Sequence, residues 1–200
     1  MPLRRPTPEQ DAAVEAFRRG DDLVLQAGAG TGKTTTLTML AAASRRRGRY
    51  LAFNKSIAQE AQRRFPGNVV CSTAHSLAFQ AVGHRFQDRM DRPRMATAKL
   101  AQLLKIDMRV TIGARKLHPP TLCSIARDTV QQYCYSADDV LTHQHVPWPK
   151  GISEEHEHDQ LAQIVLPMAE RMWTDLQDPD RGKVPFKHDH YLKIWFTLYP

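Results

Sequence analysis

The segment AGAGTGKT (27–34), set directly after the apolar run LVLQA (23–27), constrains this chain more than any other. It fits the relaxed form of a phosphate-binding loop, with Ala27 standing where the strict pattern has its first glycine. Gly28, Gly30 and Gly32 let the backbone turn its N–H groups inward on phosphate oxygens, and the helix amino terminus behind them adds its dipole. A strand before, a helix after and a lysine–threonine pair in register exclude a chance glycine-rich turn. The unit predicts an α/β fold built on a parallel sheet, with nucleotide contacts from Ala27, Gly28, Ala29, Gly30, Thr31, Gly32, Lys33, Thr34 and Thr35. Lys33 is expected to reach the β- and γ-phosphates and the Thr34 hydroxyl to ligate Mg²⁺, which gives both a catalytic assignment and makes ATP with Mg²⁺ the expected ligand.

Strand and helix signals alternate around this loop. Thr7, Pro8 and Gln10 predict a capping box that opens a helix closed by Gly20, with Val14 and Phe17 on its apolar face. The helix after the loop is expected to run from Lys33 to Arg45, Arg46 and Arg47. Those arginines serve either a helix dipole before Gly48 or a nucleic acid, and the dipole is favoured. Strands are predicted at YLAF (50–53) and NVVCS (68–72), each followed by a helix, at 56–64 and 74–82. From about residue 84 helical patterns such as 96–104 and 121–133 follow one another with no convincing strand and a loop near 145–151. The closing segment 188–200 reads as a helix burying Leu192, Trp195 and Phe196. The domain reading is thus 1–87 for the loop-bearing part, 88–185 for an inserted helical subdomain, and 186–200 for a return segment.

A phosphate-binding loop says nucleotide rather than function. Four ordered segments narrow it. PTPEQDAAVEAF (6–17), AGAGTGKTTTL (27–37), YLAFNKSIAQEAQRRF (50–65) and CSTAHSLAF (71–79) together resemble superfamily 1 DNA helicases of the UvrD/Rep type, and among them the F-box DNA helicase subgroup. The resemblance implies that Gln10 hydrogen-bonds the adenine, for which an amide has matching donor and acceptor. The same side chain is claimed by the capping box, and sequence leaves both uses open. It implies contacts to single-stranded DNA from Asn54 and Lys55 after one strand and from Ser72, Thr73, His75 and Ser76 at the end of the next. Taken alone, Lys55 reads equally as a solvated loop lysine and Thr73 as an ordinary helix cap. The family's next motif, an apolar strand ending in aspartate–glutamate, has no counterpart: IVLPMAE (164–170) carries Pro167 where a central strand tolerates none. The resemblance therefore implies the first part of a longer helicase whose second motor domain would be a partner of this chain.

Composition bounds the alternatives. With 42% hydrophobic residues the chain is expected to fold, and a formal charge of +7 suits a polyanionic partner. No apolar run approaches the roughly 20 residues of a membrane span and no secretory leader is evident, so the cytoplasm is the expected compartment. Cys71, Cys123 and Cys134 lack any C-x-x-C pair and read as buried thiols. The histidine pairs at 143 and 145, 156 and 158, and 188 and 190 read as solvated surface rather than metal ligands. Two other classes stay open: a non-catalytic nucleotide-dependent DNA-binding or regulatory protein, and a kinase built on the same loop.

Overall fold

The computed structural model describes residues 5–198, and the chain divides into two compact units between Leu77 and Ala78. In the first, helix α1 (Pro8–Arg19) opens on the expected capping box. Thr7 Oγ1 accepts the Gln10 N–H at 3.4 Å and Gln10 Oε1 accepts the Thr7 N–H at 3.0 Å. Gly20, at φ 92°, ends the helix in the left-handed conformation that a glycine reaches without strain. Helix α2 (Lys33–Ala42) follows the loop, then strand β1 (Gly48–Ala52), helix α3 (Lys55–Arg64) and strand β2 (Val69–Thr73). The strands pair in parallel, Gly48 against Val69 through Ala52 against Thr73, which is the α/β arrangement expected. One face of this pair is covered: Ala61, Phe65 and Val69 form a small core with Leu37 and Tyr50 against it, the Tyr50 and Phe65 rings 4.8 Å apart. On the other face Leu51 and Val70 stay 54% and 57% exposed.

Two expectations fail here. Residues 23–27 form no strand, and Val24 is 88% exposed. An apolar run states a preference for burial, whereas a strand also needs a ladder partner, and among the described residues β1 and β2 pair only with each other. Helix α2 also stops at Ala42, short of the arginines. The Asn68 amide donates to the carbonyls of Ser44 and Arg46 at 2.9 and 2.8 Å, and Ser44 Oγ accepts the Arg46 N–H, so these backbone groups serve a turn instead of a helix.

Helix α4 (Ala74–Ala81) leads into the second unit, which continues through a 3₁₀ turn (Gly83–Phe86) and helices α5 (Gln87–Met90) and α6 (Thr97–Leu103). A hairpin of β3 (Val110–Ile112) and β4 (Arg115–Leu117) follows, then α7 (Pro119–Tyr135), a 3₁₀ turn (His143–His145), α8 (Glu155–Gln177) and α9 (His188–Leu198). The hairpin corrects the expectation of a strandless region: its three-residue strands are too short to show alternation, and only Gly113, at φ 54°, marks the turn. Leu122, Ala126 and Val130 of α7 pack with Leu161, Val165, Met172 and Leu176 of α8, a stripe at helical spacing that fills the core. Pro167 lies inside α8, so residues 164–170 are helix and no strand.

Buried polar groups fasten this unit. Arg89 of α5, 1% exposed, donates to the carbonyls of Asp175 and Leu176 in the last turn of α8, to those of Asp178 and Val184 beyond it, and pairs with the Asp175 carboxylate at 3.3 Å. Lys193 of α9 does the same for α7: its ammonium donates to the Ser136 and Asp138 carbonyls and lies 4.1 Å over the Tyr133 ring. This sets the phase of α9. Its buried face is His190, Tyr191, Lys193 and Ile194; Leu192 and Trp195 are half-buried and pack against the core as expected, whereas Phe196 is 39% exposed. Residues 199 and 200 of that segment lie outside the described residues.

The histidine pairs need correction too. His143, His156 and His188 are exposed, but His145, His158 and His190 are buried. Residues two apart on a helix point in different directions, so one of each pair turns inward, where it finds a partner. His145 meets Asp138 at 2.9 Å, His158 meets the Val146 carbonyl at 3.0 Å, and His190 Nδ1 accepts the Lys187 N–H at 3.0 Å. Among the described residues no group of three or more His, Cys, Asp or Glu side chains is placed to hold a metal ion. Cys71, Cys123 and Cys134 are free thiols, and burial pushes Cys123 up to about 11 and Cys134 to about 12. No described helix is long and apolar enough to cross a membrane.

Candidate nucleotide and nucleic-acid site

The loop at 27–32 is shaped by its glycines. Gly30 and Gly32 sit at φ 75° and 88°, where a side chain would be strained, and Gly32 begins α2 without any side-chain cap. The first N–H groups of a helix have no partner within it, so this terminus presents donors to an anion. Thr31 Oγ1 donates to the Gly28 carbonyl at 2.9 Å and closes the turn. Lys33 folds back on the loop, its Nζ donating to the Ala27 and Gly28 carbonyls at 2.8 and 2.6 Å. Those carbonyls hold the ammonium at the mouth of the loop.

A cavity of about 460 Å³ joins this loop to α1, with Gln10, Gln26, Ala27, Thr31 and Lys33 in its wall. Both ends of the Gln10 amide are engaged, Oε1 by the Thr7 N–H and Nε2 by donation to Thr36 Oγ1 at 3.2 Å. One N–H and one acceptor lone pair remain for a ligand. Thr36 is the residue that sequence reading missed. Its buried hydroxyl joins α1 to α2, and the signal was the threonine run at 34–36, whose third member turns toward Gln10. Thr34 is half-buried at the second position of α2, and Thr35 Oγ1 lies 3.5 Å from the Arg64 guanidinium.

The residues expected to meet nucleic acid gather at one edge. The register that pairs Ala52 with Thr73 brings Asn54 and Lys55 to the same end of the sheet as Thr73, His75 and Ser76. Asn54 Oδ1 accepts the Ile57 N–H at 2.9 Å as cap of α3, and Lys55 is exposed beside it. Thr73 Oγ1 accepts the Ser76 N–H at 3.1 Å and lies 2.9 Å from the Ser76 hydroxyl, so it caps α4. Ser72 Oγ is buried with no hydrogen-bond partner, and His75 is half-buried in the first turn of α4.

Comparison with known proteins follows these elements. The profile of a family described as an AAA domain matches residues 5–139. The F-box DNA helicase protein 1 of Schizosaccharomyces pombe is 30% identical over 94% of this chain, and the F-box DNA helicase 1 of Gallus gallus is 28% identical over 90%. The chain spans 22% and 18% of the lengths of these two relatives. No solved structure matches it.

Proposed function

This chain belongs to the AAA domain family, and we propose that its first unit binds ATP with Mg²⁺ and single-stranded DNA as the N-terminal part of an ATP-dependent DNA helicase. In the complete enzyme ATP hydrolysis would drive translocation and unwinding. The observation that carries this reading is the cavity that unites Gln10 of α1 with Lys33 and Thr31 of the loop. Gln10, held at both ends, offers its remaining N–H and lone pair to an adenine edge. Lys33 exchanges two backbone carbonyls for phosphate oxygens, and the uncapped start of α2 donates to the same phosphates. Thr34, the second residue of α2, would hold Mg²⁺, whose charge would offset that of the phosphates.

The test is Lys33→Ala in titration calorimetry with Mg–ATP. Without the ammonium, phosphate charge rests on backbone dipoles alone. Affinity is expected to fall at least about tenfold, or roughly 1.4 kcal/mol; an unchanged affinity sinks the assignment.

DNA contact at the sheet edge is electrostatic in this reading. Lys55→Ala is expected to weaken binding of a labelled single-stranded oligonucleotide and to lower the salt slope by about 0.7, one phosphate's worth for a single strand. A slope identical to that of the unaltered chain contradicts the contact.

Binding and catalysis draw on different groups. The carboxylate and cation in the wall of the nucleotide cavity are Glu9, beside Gln10 on α1, and Lys33. Arginines absent from a phosphoryl-transfer site are worth about 10³ to 10⁵ in rate. These 200 residues are therefore expected to bind Mg–ATP yet turn it over more slowly than about 1 s⁻¹ even with saturating single-stranded DNA. A faster rate abolished by Lys33→Ala would show the catalytic set to be complete.

A further inference from the structure

We propose that the turn between α2 and β1 carries a second nucleic-acid surface, on which a single strand lays its phosphates along Arg45, Arg46 and Arg47 and a base against Phe17. Because α2 stops at Ala42, these arginines lie past the helix on the turn that follows it. All three are exposed, and among the described residues none has an ion-pair partner. Their backbone is nonetheless fixed, by the Asn68 amide on the Ser44 and Arg46 carbonyls and by Ser44 Oγ on the Arg46 N–H. A pinned turn that projects free guanidinium groups is preorganised for anions, because little order is lost on binding.

The surroundings favour a strand with unpaired bases. A groove of about 640 Å³ brings Arg18 at the end of α1 beside Arg45 and Arg46, with Phe17 in its wall. Phe17 is 38% exposed and also lines an adjoining apolar groove of about 280 Å³ with Leu37, Tyr50 and Phe65, rimmed by Arg46, Arg47 and Arg49. Acidic groups do not cancel this charge: Asp21 is held by Arg19 at 2.9 Å, which leaves Asp22. Cations beside a partly exposed aromatic ring suit single strands, whose bases can stack, whereas a duplex hides its base faces. The surface is separate from the sheet edge. The nucleotide loop precedes α2 and the arginines follow it, about 15 Å along a ten-residue helix. Lys55 lies beyond the far end of β1.

The test is fluorescence anisotropy of a labelled oligodeoxythymidylate titrated with the full chain at several salt concentrations. The triple variant Arg45→Gln, Arg46→Gln, Arg47→Gln should lower the slope of log affinity against log salt by about 2, three phosphates at about 0.7 each. Phe17→Ala should weaken binding roughly tenfold with the slope kept, as loss of one stacked base does. Lys55→Ala combined with the triple variant should give additive losses, because the surfaces are separate. An unchanged slope in the triple variant, with urea midpoint and Mg–ATP affinity also unchanged, overturns the surface. Equal or tighter binding of a hairpin duplex, weakened alike by the triple variant, overturns its assignment to single strands.

Discussion

Arg89→Met is expected to lower the unfolding free energy of the second unit by about 3 to 5 kcal/mol, the cost of breaking a buried charge pair. Methionine replaces the stem of the side chain but none of its donors. The Leu176 and Val184 carbonyls, which take the two ends of the guanidinium fork at 3.2 and 2.9 Å, are then left buried without a partner. The Asp175 carboxylate keeps the N–H groups of Lys183 and Val184 but loses its cation. Arg89→Lys should restore only part of the loss, since an ammonium cannot span acceptors set out for a planar fork. Urea denaturation followed by tryptophan fluorescence measures both. A loss under about 1 kcal/mol for Arg89→Met would mean that the α8 carbonyls find water or another donor.

Acid should weaken the same unit through His190. Burial is the main cause that lowers this imidazole from 6.5 to about 4, with Lys187 acting in the same direction. The folded state therefore holds the ring neutral, its Nδ1 accepting the Lys187 N–H and its plane edge-on to Phe186. The unfolded chain binds a proton first. Stability from this residue is complete above about pH 6.5 and is lost as pH falls toward 4. The gap between 6.5 and about 4 corresponds to about 3 kcal/mol. His190→Asn keeps an acceptor near the place of Nδ1 and does not titrate. Urea midpoints at pH 7 and pH 4.5 should fall much further for the native chain than for the variant. Equal falls in the two would assign the acid sensitivity to other groups.

What sequence made legible follows from how local each signal was. Thr7, Pro8, Gln10 and Gly20 decide both ends of α1 among themselves, and the structure has that helix between those caps. The loop at 27–34 is contiguous, so its shape could be read without knowing any neighbour. Two of the failures involve partners distant in sequence. Residues 23–27 needed a strand beside them, and the end of α2 depended on Asn68. The inward turn of three histidines follows from which face of each helix packs, and Lys193 of α9 reaches carbonyls just past the end of α7. In the candidate site the same rule holds: Lys33 stands in a contiguous pattern, whereas the hydrogen bond from Gln10 to Thr36 spans 26 residues.

The two units differ in how much apolar surface they remove from water. The core of the first rests on Ala61, Phe65 and Val69, whereas that of the second runs from Ala78 through both long helices to Ile194. Regions with few buried apolar contacts open more readily than the rest of a chain. Backbone amides of α1, α2 and β1 should thus exchange with deuterium well before those of α7 and α8. A nucleotide at about a hundred times its Kd contributes about 2.7 kcal/mol to whatever folds around it. Against so small a core, the nucleotide proposed above would itself supply a large part of what keeps its binding site folded.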